Sequence, residues 1–270
     1  MNINRKFNII FRACDGVNAV NKNPRPYDLT KAQLIKMCFL SLVEALEGIN
    51  CRILVVGDKL SEEMKNFFSH FNVELYLGDF GNDASIREAL RLTKNIPDNE
   101  WVYFCEDDYL HTSSSFSQIE IFLNERNNLF KQKIKIYNLS SLINLNGRDL
   151  FIFPPDYPDR YKPKFRRHSL IVASSGCHWR QVSNITFTFL TKASTIKKRF
   201  SLFMKSSEGA NDIWLGKKLF GRSFGFWASS ICFSPLPGLT SHMHRDTMTP
   251  LVAWEALVKH YAQKLSELKY

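Results

Sequence analysis

None of the six cysteines forms a Cys-x-x-Cys pair, which argues against a structural zinc site. Cys14, Cys38, Cys51, Cys105, Cys177 and Cys232 lie mostly in apolar stretches and read as buried, reduced thiols, not as a disulfide scaffold. No apolar run approaches the roughly 20 residues of a membrane-spanning helix. Neither a repeat nor a low-complexity tract is evident, so collagen-like and disordered architectures are excluded. Arg5 and Lys6 precede only a short apolar run, too little for a signal peptide, and a cytoplasmic location is expected. What the chain does have is apolar surface. Its 270 residues are 44% hydrophobic and 13% aromatic, enough for a sizeable core.

Charge is unevenly spread. The formal net charge is +10. Residues 1–135 carry 17 basic and 18 acidic side chains, whereas residues 136–270 carry 19 and 8. The excess in the second half predicts an anionic partner there: a phosphate, a nucleic acid or a lipid headgroup.

The first 115 residues alternate between two periodicities. Strands are predicted over Phe7–Cys14, Cys51–Val56, Val73–Leu77 and Trp101–Cys105. Helices are predicted over Leu29–Glu47, from Ser61 onward, and over Ala84–Thr93. This alternation implies a mostly parallel, Rossmann-like central sheet flanked by helices, with ligands at the carboxyl ends of its strands. The acids Asp15, Asp58, Asp79 and Glu106-Asp107-Asp108 all fall at such ends. Further on, helices are expected over Phe116–Phe130, Ser194–Met204, Asn211–Phe220 and Trp254–Leu268. Strands are expected over Ser169–Ser174, Ile185–Leu190 and Phe224–Phe233, and a loop over 144–168. No clean linker divides the chain, so one continuous domain over 1–270 is expected.

Three consecutive carboxylates after a buried strand repel one another and resist desolvation, and a divalent cation offsets that cost. With this motif in this place, the sequence resembles the glycosyltransferases of the GT-A fold, whose Asp-x-Asp motif, or its Glu-Asp-Asp variant, ends a central strand. The resemblance implies Mn²⁺ or Mg²⁺ bound by Asp108, and Glu106 or Asp107 on the ribose or sugar of a nucleotide-sugar donor. It also implies that Arg12, Ala13 and Asp15, after the first strand, contact base and ribose, with Asp58, Asn82 and Arg87 lining the donor. Residues 1–115 would then form the donor-binding part, and 116–270 the acceptor-binding part with a C-terminal helix.

The same resemblance assigns roles in the second half. In Glu208-Gly-Ala-Asn211-Asp212 an acid at a helix start would be the general base of an inverting transfer, and Asp212 is preferred to Glu208. His242 and His244 are candidates for completing the metal shell. In an extended segment they face opposite sides, so only one is expected to serve. Arg245 or a nearby lysine would neutralise the leaving diphosphate. The segment 145–210 has 12 basic and 4 acidic residues, including Lys162, Lys164, Arg166 and Arg167. Its aromatics and cations mark Tyr157, Arg160, His178 and Trp179 as acceptor-binding, since sugars stack on aromatic faces and arginine binds acidic groups. The partners expected are a nucleotide-sugar donor (UDP-linked by default) and a glycan or lipid-linked acceptor, with peripheral membrane contact through the basic half.

Two other classes compete. A metal-dependent nuclease or nucleotidyltransferase would suit the acidic triplet and the basic half, but no nucleic-acid-binding motif or basic helical stripe supports it, and no nucleic acid is expected. A noncatalytic carbohydrate-binding module would not need acids at several successive strand ends.

Overall fold

The computed structural model describes residues 5–16, 25–130, 134–136, 139–141, 147–162, 169–221 and 228–268. Lys164, Phe165, Arg166 and Arg167, and the start of the strand expected from Phe224, lie outside the described residues.

The first half folds as its periodicity predicts. The order is β1 (Phe7–Ala13), α1 (Lys31–Ala45), β2 (Cys51–Asp58), α2 (Glu62–Ser69), β3 (Val73–Gly78), α3 (Asn82–Leu92) and β4 (Trp101–Glu106). The helix starts are capped locally. Thr30 and Gln33 form a reciprocal capping box on α1, and the Ser61 hydroxyl accepts from Met64 N on α2. The second half contributes β5 (Tyr109–His111), α4 (Ser115–Leu129), β6 (Ile134–Ile136), β7 (Leu139–Ser141), β8 (Asp149–Ile152), β9 (Ile171–Ala173), β10 (His178–Val182), β11 (Phe189–Lys192), α5 (Ala193–Lys198), α6 (Phe200–Ser206), α7 (Asp212–Phe220), β12 (Ser230–Leu236), β13 (Thr240–His242) and α8 (Trp254–Glu267).

A nine-stranded sheet runs in the order β3-β2-β1-β4-β11-β8-β12-β10-β9. The strands β3, β2, β1 and β4 are mutually parallel, as helical crossovers require. Beyond β4 the sheet is mixed: β11 is antiparallel to both neighbours, and β8 pairs parallel with β12. Because side chains alternate, each inner strand feeds two cores. Phe7, Ile9 and Phe11 of β1 and Trp101, Tyr103 and Cys105 of β4 pack with α1, α2 and α4. Ile10, Val102 and Phe104 pack on the opposite face with α3, α6 and α7. A third cluster joins α8 to α1 through Trp254, Val258, Tyr261, Leu34 and Met37.

The structure departs from the sequence reading in four places. β8 lies inside the stretch read as loop. β10 occupies a stretch assigned no regular structure. The strand expected over 185–190 runs instead over Phe189–Lys192. The helix expected over 194–204 is broken at Arg199, whose backbone leaves the helical region (φ −119°, ψ 23°) while its guanidinium reaches Asp149 of β8 at 3.0 Å.

Phe39 is fully buried and meets Phe11, Phe67, Phe68 and Phe71 edge to face or nearly so, with centroids 4.9–5.8 Å away. Phe39→Ala should therefore destabilise the fold by about 3–5 kcal/mol, read as a lowered urea midpoint at unchanged slope.

Candidate active site

The three acids at the end of β4 take three different partners. Glu106 meets the Arg12 guanidinium of β1 at 2.5 Å. Asp107 accepts from Lys31 Nζ of α1 at 2.5 Å with one oxygen and from Cys14 N at 2.8 Å with the other. Asp108 Oδ2 lies 3.1 Å from His242 Nε2 and 3.2 Å from His244 Nε2. Both histidines thus reach the same acid, against the expectation that only one would. The physical reason is that β13 ends at His242. The chain then turns, with His244 N donating to His242 O at 2.9 Å, and the two rings come to lie side by side.

A short antiparallel ribbon delivers them. β5 follows the acidic turn directly and pairs with β13, setting His242 opposite Tyr109, and Met243 N donates to Asp108 O at 2.8 Å. The Tyr109 ring stacks on His242, with centroids 4.7 Å apart and planes within 5°. The Tyr157 hydroxyl bridges Tyr109 Oη at 2.5 Å and His242 Nδ1 at 3.3 Å. These contacts fix the imidazole so that Nε2 faces the acid.

One carboxylate and two imidazoles, with ligand atoms all within 4.8 Å of one another, can hold a divalent cation. Asp108 Oδ1 is buried with no hydrogen-bond partner among the described residues, an acceptor of the kind a cation fills. Burial raises the Asp108 pKa, but His242, His244 and Lys31 outweigh it and hold the carboxyl well below the usual carboxylate range. For His242 burial works against the charge, yet Asp108 and Glu106 raise its pKa overall.

Asp212 stands nearby on another element. Gly209 (φ +67°) and Ala210 (φ +47°) turn the chain through left-handed geometry, a costly conformation for alanine, and deliver Asp212 as the first residue of α7. Asn211 takes the capping role, accepting from Trp214 N at 3.1 Å. Asp212 Oδ1 is buried without a hydrogen-bond partner among the described residues. Burial, then the charge of Glu106, push its pKa up to about 7, against the opposing pull of Arg12 and His242. Glu208 is exposed.

The other expected site residues divide. Arg12 bonds Asn82 and Ser85 besides Glu106, joining β1 to the start of α3. Asp58 is buried and accepts from Phe80 N and Gly81 N, and Asp15 accepts from Ser61, so both carboxylates are engaged in shaping loops. Ala13 is buried in the core, and Arg87 reaches Ser207 at 3.5 Å. Trp179 is a correction: it is fully buried, stacked on Phe122 and bonded to Ser174, and cannot present a face to a sugar. His178, one residue earlier, is exposed. Arg245 pairs with Asp28 on the surface at 3.5 Å. Lys31 and Tyr109 were not expected at all. Lys31 follows the cap Thr30 and gives no sign in the sequence of its partner 76 residues away.

No family model matches the sequence, and no curated protein matches it. Among solved structures, the chain is similar to a nucleotidyl transferase from Methanothermobacter thermautotrophicus (11% identity, 96% of this chain and 98% of that one, TM-score 0.48). It is also similar to the galactosyltransferase LgtC in complex with donor and acceptor sugar analogues (13%, 97% and 96%, 0.47). A third is a 4-diphosphocytidyl-2C-methyl-D-erythritol synthase (10%, 96% and 99%, 0.42). Among the described residues, no helix is long and apolar enough to cross a membrane.

The raised Asp212 pKa has a thermodynamic consequence. Between its ordinary 3.8 and about 7 the folded state holds a proton that the unfolded chain has released. The stability this group contributes is full below pH 3.8 and lost as pH rises through 7. Asp212→Asn removes that loss, so the stability of the variant relative to the parent should climb between pH 4 and 8, measured as paired urea midpoints in metal-free buffer.

Proposed function

We propose that the chain is a metal-dependent glycosyltransferase. It moves a sugar from a nucleotide-diphosphate donor, UDP-linked by default, to a hydroxyl of a glycan or lipid-linked acceptor. The observation that supports this reading is the nearness of two groups with suitable chemistry. Asp108, His242 and His244 could hold a divalent cation, and the Asp212 carboxyl, its pKa pushed up to about 7, is within electrostatic reach of His242. The two imidazoles favour Mn²⁺ over Mg²⁺, which keeps to oxygen ligands. When bound, the ion would neutralise the charge left on the donor diphosphate as the glycosidic bond breaks.

The chain's own groups do the rest. Asp212 takes the proton of the acceptor hydroxyl as that oxygen attacks the anomeric carbon, and in-line displacement inverts the configuration. Arg12 holds Glu106 and the start of α3 together along the donor side. Lys31 places an ammonium beside Asp107, where it offsets the acidic triplet. A lipid-linked acceptor would bring the basic second half to a membrane surface.

A screen of nucleotide sugars with Mn²⁺ tests the reading. Release of nucleoside diphosphate is expected, and it should vanish in Asp108→Ala together with metal-dependent nucleotide binding. Release of pyrophosphate from nucleoside triphosphates, with no turnover of nucleotide sugars, would mean a nucleotidyl transferase instead. Asp212→Asn should lower kcat by about 10²–10⁴-fold while leaving donor affinity intact. Mn²⁺ binding must displace the His242 proton. Its affinity should therefore strengthen by up to about tenfold per pH unit until His242 is neutral, measured by calorimetry from pH 6 to 8.

A further inference from the structure

Beside the metal cluster the chain buries more positive charge than negative. Asp156 has no exposed surface and accepts from both Arg180 and the Tyr161 hydroxyl. Arg160 Nη1 lies 3.6 Å from the same carboxylate. Two guanidinium groups therefore share one acid. The other titratable groups facing Arg160 are the Tyr157 hydroxyl and the Cys232 thiol, both kept neutral by burial. Arg160 is otherwise held by Pro155 O at 3.3 Å, by Ser234 Oγ at 2.9 Å, and by the faces of Phe153 and Tyr157. Its Nε and Nη2, and Nε of Arg180, are buried and have no hydrogen-bond partner among the described residues. Shielded guanidinium donors left unpaired are costly, and an oxyanion is the group that fits their fork.

The placing is specific. Arg180 on β10 and Ser234 on β12 are register partners, so they share one face of the sheet. Arg160 lies over the Tyr157 ring, and the Tyr157 hydroxyl touches His242. One aromatic ring therefore separates the arginine pair from the metal cluster. Over Arg180 stands Tyr161, 42% exposed, with the guanidinium 4.7 Å from its ring centre. Both arginines keep a narrow open edge, 11% and 13% of their side-chain surface.

We propose that Arg160 and Arg180, braced by Asp156, form an oxyanion subsite for the acceptor. The subsite takes a carboxylate or phosphate carried by a sugar that packs on Tyr161. The acceptor is thus an acidic glycan. This assignment rests on the transferase reading for the word acceptor, while the anion subsite itself can be tested without metal or donor.

The experiment is a titration of ¹⁵N-arginine-labelled, metal-free protein with inorganic phosphate and, separately, with glucuronate at constant ionic strength. The Nε–H signals of Arg160 and Arg180, assigned through Arg160→Lys and Arg180→Lys, should shift saturably, with no matching shift at the exposed Arg91. The anion that saturates at lower concentration identifies the group the acceptor carries. Arg160→Lys keeps the charge that Asp156 needs but loses the fork, and should weaken both anions at least tenfold. Tyr161→Ala, at an exposed position, should weaken glucuronate and spare phosphate. Shifts equal to those at Arg91, or titrations unchanged in Arg160→Lys, overturn the subsite. Because neither metal nor nucleotide sugar is present, a failure here is distinct from a failure of the transferase screen.

Discussion

The arrangement of the site depends on one electrostatic problem, three adjacent carboxylates at the end of a strand that is buried up to its last residue. Each acid is matched by a partner from a different segment: Arg12 from β1, Lys31 from the start of α1, and the two imidazoles at and just after the end of β13. In a shielded position such pairing is what makes the charges tolerable, and removing one partner would leave the other stranded. The triplet therefore does more than offer ligands. It ties together the strand end, the first helix and a segment more than 130 residues further along.

The uneven charge of the two halves has a structural side as well. Cations of the second half repeatedly meet acids of the first: Lys197 with Asp98, Lys264 with Glu44, Arg245 with Asp28. These pairs are mostly exposed and individually worth little, about 0–1 kcal/mol. Their common direction nonetheless shows that part of the excess serves adhesion between the halves. Among the second-half cations in described ion pairs, the most shielded are Arg160 and Arg180 around Asp156.

The sequence made the first half legible because its elements obey strict periods and carry their own caps. β1 and β4 alternate between two cores, and Thr30 and Ser61 stand where helices begin. The second half hides its strands. β8 is four residues long, close to two prolines, and β10 reads His-Trp-Arg-Gln-Val, where polar residues outnumber the two that enter the core. That mixed pattern also misled the reading of Trp179, an aromatic in a basic stretch whose side chain points inward. Asp108 and Asp212 could be singled out because each is an acid at an element end. Lys31 could not, since a lysine after a helix cap is ordinary until the tertiary contact is seen. The placing of both histidines on one oxygen likewise needs the turn after His242, which no spacing rule contains.

The separation of Asp108 from its histidines carries a consequence for how the protein is made. His242 and His244 follow the acid by 134 and 136 residues. During synthesis the residues of β1, α1 and β4 are made before either imidazole exists. In the finished fold β4 is covered by β11, and Asp108 meets its imidazoles through the β5–β13 ribbon. A chain interrupted before residue 242 would therefore lack two of the three side chains of the candidate metal cluster.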